Sequence, residues 1–84
     1  MAWYRLAFRP AVLQDLGTLD TAMAQRLLDK AKWLTSNVGN LRHEAIDDAL
    51  PGLFKYAVGE WRIYYSLDAA EHFVDIHGIV RQGP

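Results

Sequence analysis

The side chains best suited to chemistry fall in the second half of the chain: Lys55, Arg62 and Tyr64 in FKYAVGEWRIYY, then His77 and Arg81 in DIHGIVR. A guanidinium binds an anion through a planar fork of donors, an ammonium adds a point charge, an imidazole exchanges protons near neutral pH, and a phenol ring can stack on a base. Arg62 poses the sharpest question, because it interrupts a strand otherwise built of aromatic and branched residues. A guanidinium buried without a partner is costly, so Arg62 is paired inside, solvated outside, or open to an anion.

The elements around it narrow the choice. Gly59-Glu60 separates two strand-like runs, and glycine at the first central position favours a two-residue type II′ hairpin. Val58 then faces Trp61, Ala57 faces Arg62, Tyr56 faces Ile63 and Lys55 faces Tyr64. One face collects Phe54, Tyr56, Val58, Trp61, Ile63 and Tyr65 and is the core. The other collects Lys55, Ala57, Arg62 and Tyr64. With residues 68 to 71 as the next connection, Leu67 faces His72, Tyr65 faces Val74, Ile63 faces Ile76 and Arg62 faces His77. Lys55, Arg62, Tyr64 and His77 form an open polar patch, with Arg81 just past the last strand. The Arg62 cation opposite His77 would lower the imidazole pKa and leave the ring able to accept a proton.

The first half supplies the other layer. Residues 3 to 9, WYRLAFR, alternate as a half-buried strand, with Tyr4, Leu6 and Phe8 on one face. Pro10 suits the first position of a short helix, with Leu13 and Leu16 on one side and Gly17 at its end. Asp20 reads as the N-cap of a longer helix whose stripe is Met23, Ala24, Leu27, Leu28, Ala31 and Leu34, opposite Gln25, Arg26, Asp29 and Lys32. Periodicity fades over residues 37 to 52, which read as a loop. The expected fold is a single α+β domain over residues 1 to 84: an antiparallel four-stranded sheet with a two-helix hairpin on one face, in the order β-α-α-β-β-β.

Composition bounds the rest. The chain has 84 residues, 51% hydrophobic, with no cysteine and a formal charge of −1. It can bury a core but cannot staple one, and it does not coat nucleic acid by bulk charge. Arg5 and Arg9 interrupt any leader-like apolar run, and no window reaches the length of a membrane span, so a cytoplasmic protein is expected. No metal or cofactor is expected: His72 and His77 fall on opposite sides of a strand, Asp47-Asp48 is explained by turn chemistry, and there is no glycine-rich phosphate loop.

The run LPGLFKYAVGEWRIYYSLD, preceded by FRPAVLQDLGTLD and followed by DIHGIVR, resembles the RelE/ParE superfamily of bacterial toxin–antitoxin systems over nearly the whole chain. Its most specific part is the Pro-Gly-aromatic segment leading into Val-Gly-acid-aromatic-Arg-branched-Tyr. RelE-like members are ribosome-dependent endonucleases that cut mRNA; ParE-like members poison DNA gyrase. Both are held inactive by an antitoxin, so the resemblance implies a cognate antitoxin as partner, with mRNA and the ribosome or DNA gyrase as target. In the RelE-like branch it gives Arg62 the role of the sheet arginine that stabilises the attacked phosphate, and it matches Lys55 and Arg81 to basic positions before and after it.

Such cleavage uses the RNA's own 2′-hydroxyl as nucleophile. It needs removal of that proton, stabilisation of an anionic five-coordinate phosphorus, and protonation of the departing 5′-oxygen, with no metal required. Catalytic candidates are therefore Arg62, Lys55, Arg81 and His77, and Lys55, Tyr64 and Arg5 are the expected RNA contacts. The departures are Ala57, where many relatives carry a basic residue, a net charge that is not basic, and an end at Pro84 without a C-terminal tyrosine or extra helix. These features favour the second reading, a binding protein without hydrolytic chemistry, such as a gyrase inhibitor or a weakened relative that binds an antitoxin. Without the family, Arg62 reads as a solvated residue paired with Asp75 or Glu60, and Lys55 and Arg81 as solubilising charges.

Overall fold

The computed structural model describes residues 3 to 82. Its elements are β1 (Arg5–Phe8), α1 (Pro10–Gly17), α2 (Thr21–Ser36), β2 (Glu44–Ala45), β3 (Leu53–Val58), β4 (Trp61–Asp68) and β5 (Phe73–Arg81), with a short 3-10 turn at Val38–Asn40. The strands form one mixed sheet in the order β1-β5-β4-β3-β2. The expected α+β class and element order hold, with two corrections. A fifth strand, β2, pairs Glu44 with Lys55 and Ala45 with Phe54; two residues are too few to show a period. And β1 runs parallel to β5, a pairing between the two ends of the chain for which no turn provides a local signal.

Both helices are set by local chemistry. Pro10 opens α1, where its missing N–H is one the helix would leave unpaired anyway. The Asp20 side chain accepts a hydrogen bond from the Met23 N–H at 2.8 Å, satisfying one of the free donors at the start of α2. Leu27, Ala31 and Leu34 are buried, with Met23, Ala24 and Leu28 packed beside them. In α1 the buried pair is Val12 and Leu16, one turn apart, while Leu13, expected inside, is 55% exposed. On the sheet, Val58, Ile63, Tyr65, Val74, Ile76 and Ile79 complete the core. Burying a side chain such as Leu34 or Ile63 contributes about 1.5–3 kcal/mol.

The β3–β4 hairpin has the expected register, including Lys55 opposite Tyr64 and Ala57 opposite Arg62. Gly59 has φ +60, whereas Glu60 does not have positive φ, as the first and second central residues of a II′ turn require. The β4–β5 register differs. Strand β4 runs on to Asp68, which faces Phe73, so Leu67 faces Val74 and Tyr65 faces Ile76. The turn between them ends at His72, whose φ is +57. This two-residue slip keeps Val74 and Ile76 on the core face, as the period of a strand demands. A bulge follows: Tyr65 faces Ile76 but Tyr64 faces Gly78, leaving His77 as the extra residue. Beyond it Ile63 faces Ile79, Arg62 faces Val80 and Trp61 faces Arg81.

Candidate functional site

The sheet face away from the helices carries Lys55 on β3 and Arg62, Tyr64 and Ser66 on β4, with Asp75 opposite Ser66. Lys55, Tyr64 and Gly78 form one row across the sheet, and Ala57, Arg62 and Val80 form the next. Successive rows on one face are two residues, or about 7 Å, apart, so Arg62 and Lys55 can converge on one extended ligand. Gly78 leaves the side of the Tyr64 ring uncovered; a Cβ there would lie 3.7 Å from Tyr64 Cδ2. Among the described residues no carboxylate pairs with Arg62. Its Nη1 donates instead to the carbonyls of Gly59 and Trp61, both at 2.9 Å, which steadies the guanidinium at the hairpin end and leaves its other donors for an anion. The Lys55 Nζ lies 3.7 Å from Glu44 Oε1, a loose pair with an exposed carboxylate.

His77 is not beside Arg62, so the pairing on which its expected neutrality rested is absent. Its Nε2 lies 2.7 Å from Ser66 Oγ and 3.6 Å from Asp75 Oδ2. Ser66 is four residues along β4 from Arg62, about 13 Å at strand rise. Arg9 reaches the same carboxylate oxygen of Asp75 at 3.3 Å. The face therefore holds two polar groups with Tyr64 between them: Arg62 with Lys55, and His77 with Ser66, Asp75 and Arg9. Arg5 is exposed on β1 opposite Phe73, at the far corner from Arg62.

Arg81 also lies apart from the patch expected for it. It is the last residue of β5 and shares a face with Trp61, on the helix side. Its Nε and Nη2 both donate to Glu60 Oε2, at 3.1 and 2.9 Å. The bulge explains the difference, since one extra residue moves every later side chain to the opposite face.

Three arrangements carried no clear signal in the sequence. Arg26 of α2, read there as part of a solvated face, lies over the β3–β4 turn, with Nη2 3.5 Å from where a Cβ on Gly59 would be. Arg9 with Asp75 joins residues far apart in the chain. His43 joins the residue 37 to 43 segment to the core: its Nδ1 lies 2.6 Å from the Tyr65 hydroxyl and its Nε2 3.0 Å from the Val38 carbonyl. A carbonyl only accepts, so Nε2 carries the proton and the Tyr65 hydroxyl donates to Nδ1. Burial, helped by repulsion from Tyr56, pushes the Tyr65 hydroxyl up to about 12. A surface cleft of about 640 Å³ between Trp3, Tyr4, Thr35, Ser36 and residues 38 to 40 lies at the opposite end of the sheet from Arg62. Among the described residues no three His, Asp or Glu side chains cluster as metal ligands, and no helix is long and apolar enough to cross a membrane.

No protein-family model matches the chain, and no curated protein sequence matches it. Solved structures do. A chain of the RelBE2 toxin–antitoxin complex from Mycobacterium tuberculosis superposes with a TM-score of 0.83 at 21% identity, covering 96% of this chain and 93% of that one. The archaeal RelE–RelB complex from Pyrococcus horikoshii gives 0.74 at 19% identity, covering 96% and 97%. The isolated RelE toxin of E. coli gives 0.73 at 16% identity, covering 96% and 86%. The chain has the RelE fold.

Proposed function

We propose that this chain is the toxin of a RelE-type toxin–antitoxin pair, a metal-independent endoribonuclease acting on mRNA at the ribosome in the cytoplasm. One observation carries the reading: on the open sheet face of a RelE fold, Arg62 has no carboxylate partner among the described residues and is anchored through one nitrogen only, next to Lys55 and Tyr64. Two phosphate oxygens fit the guanidinium fork, and the developing charge on a five-coordinate phosphorus strengthens that contact in the transition state. Lys55 adds a second cation one row away. Tyr64, with its ring side open over Gly78, offers a stacking surface to a base. His77, held by Ser66 and Asp75 about 13 Å along the sheet from Arg62, is out of proton-transfer reach of the phosphate that Arg62 holds and faces the nucleotide beyond Tyr64 instead. The partner is a cognate antitoxin that covers this cationic face with acidic side chains.

The test is induced expression of the wild-type chain and Arg62→Ala in a bacterial host, with growth followed and mRNA 5′-ends mapped. The expected result is growth arrest with cuts inside translated codons, both lost in the variant while its melting temperature stays within a few degrees of wild type, because an exposed-face substitution costs little stability. Growth arrest that persists in Arg62→Ala, or arrest with no cuts, refutes the reading.

A further inference from the structure

Three guanidinium groups surround the Gly59–Glu60 turn. Arg26 approaches from α2, with its Nη2 3.5 Å from the Cβ position of Gly59. Arg62 arrives from the open face and donates to the Gly59 and Trp61 carbonyls. Arg81 closes the end of β5, where the Gln82 N–H also donates to the Glu60 carbonyl at 2.6 Å. Against these three cations the turn itself sets one carboxylate, Glu60, in a chain whose net charge is −1. Both Arg81 donors fall on a single oxygen of that carboxylate.

We infer that Glu60 is an internal stand-in for phosphate: in the free protein it occupies the Arg81 fork, and an RNA phosphodiester must displace it, so that Glu60 sets the affinity of the hairpin tip for RNA. The inference rests on the RNA-binding reading of the open face, with the RNA running past Arg62 and round the hairpin tip to Arg81 on the helix side. Carboxylate and phosphate oxygens both accept charge-assisted hydrogen bonds from a guanidinium, so one can replace the other. The Glu60 and Arg81 side chains are 53% and 65% exposed, which makes their pair weak and easily exchanged. After exchange the carboxylate still stands beside the incoming phosphate. A like charge about 5 Å away in water lowers affinity about fourfold, and salt screens the effect. Glu60 thus acts as a positioning residue, through Arg81, and restrains binding to loose anions.

The experiment measures binding of a short, labelled single-stranded RNA by fluorescence anisotropy. The RNA carries 2′-O-methyl groups so that it cannot be cut, and the proteins are the full chain, Glu60→Gln, Arg62→Ala, Arg81→Ala and the Glu60→Gln/Arg81→Ala double variant, each checked for folding by thermal melting. The inference expects Glu60→Gln to bind about fourfold tighter at low salt, with the gain fading at high salt and at least halved when Arg81 is absent. Equal affinity of wild type and Glu60→Gln, a full gain in the Arg81→Ala background, or a gain untouched by salt overturns it. Arg62→Ala reports on the underlying reading separately. If that variant loses affinity while Glu60→Gln gains none, only the role of Glu60 fails; if it binds as wild type does, the open-face reading fails whatever Glu60 does. Undetectable binding by both wild type and Glu60→Gln overturns both.

Discussion

Replacing Tyr65 by Phe should make the protein less stable at neutral pH and more stable than wild type in strong alkali. The Tyr65 ring is 1% exposed, and its hydroxyl donates to His43 Nδ1. Removing the hydroxyl leaves that nitrogen without a donor in a half-buried site, at a cost of about 1–2 kcal/mol. In alkali a second effect opposes the first. In the unfolded chain the phenol ionises near its ordinary value of 10, whereas in the fold burial, followed by repulsion from Tyr56, raises it to about 12. The raised pKa means that the contribution of the neutral phenol is fully present below pH 10 and is lost as pH rises through the folded value. Two pH units correspond to about 3 kcal/mol at 1.36 kcal/mol each, and about half of that is gone near pH 11. The two stability curves should therefore cross at about pH 11. Urea unfolding of both proteins from neutral pH to about 12 measures this, and the difference in phenolate absorbance follows Tyr65 alone. Parallel curves, or a Tyr65 signal that ionises with the ordinary phenols near 10, would refute the coupling of burial to stability argued from this residue.

Two local predictions follow from the backbone. Asp20→Ala removes the acceptor of the Met23 N–H and should destabilise the fold by about 1 kcal/mol, read as a lower urea midpoint with an unchanged slope. Gly59→Ala should cost about 1–2 kcal/mol, because φ is +60 there, while the 3.5 Å approach of Arg26 is ordinary contact that adds no clash. A melting temperature equal to wild type would show that the turn relaxes to another type.

The parts of the fold legible in the sequence are those whose causes are local. Asp20 caps the helix that follows it, Pro10 opens another, and Gly59 fixes a two-residue turn and with it the whole β3–β4 register. Arg62 on the open face was readable for the same reason, since its position relative to Gly59 decides its side. What escaped depended on distant or competing choices. Strand β4 takes in Asp68, which reads as the start of the connection, and His72 adopts a left-handed conformation that is uncommon for any residue but glycine. The bulge at His77 has no local marker except Gly78 beside it. The two-residue slip moves His77 away from Arg62, and the bulge turns Arg81 to the helix side. In α1 the pattern put Leu13 inward with Leu16, whereas the helix packed on β5 buries Val12 with Leu16 and exposes Leu13.

The bulge also bears on what this chain does when crowded with copies of itself. Strand β1 covers β5 from Phe73 to Ile76, and the extra residue comes immediately afterwards. Past that point, among the described residues, β5 has a strand neighbour on one side only. A long, flat strand edge with unpaired N–H and C=O groups invites another molecule to add a strand and start a fibre. Here the edge is bent at its base by His77 and ends at a charged residue, Arg81. Such an edge is a poor template, so the irregularity that rearranges the polar face also disfavours sheet-to-sheet aggregation.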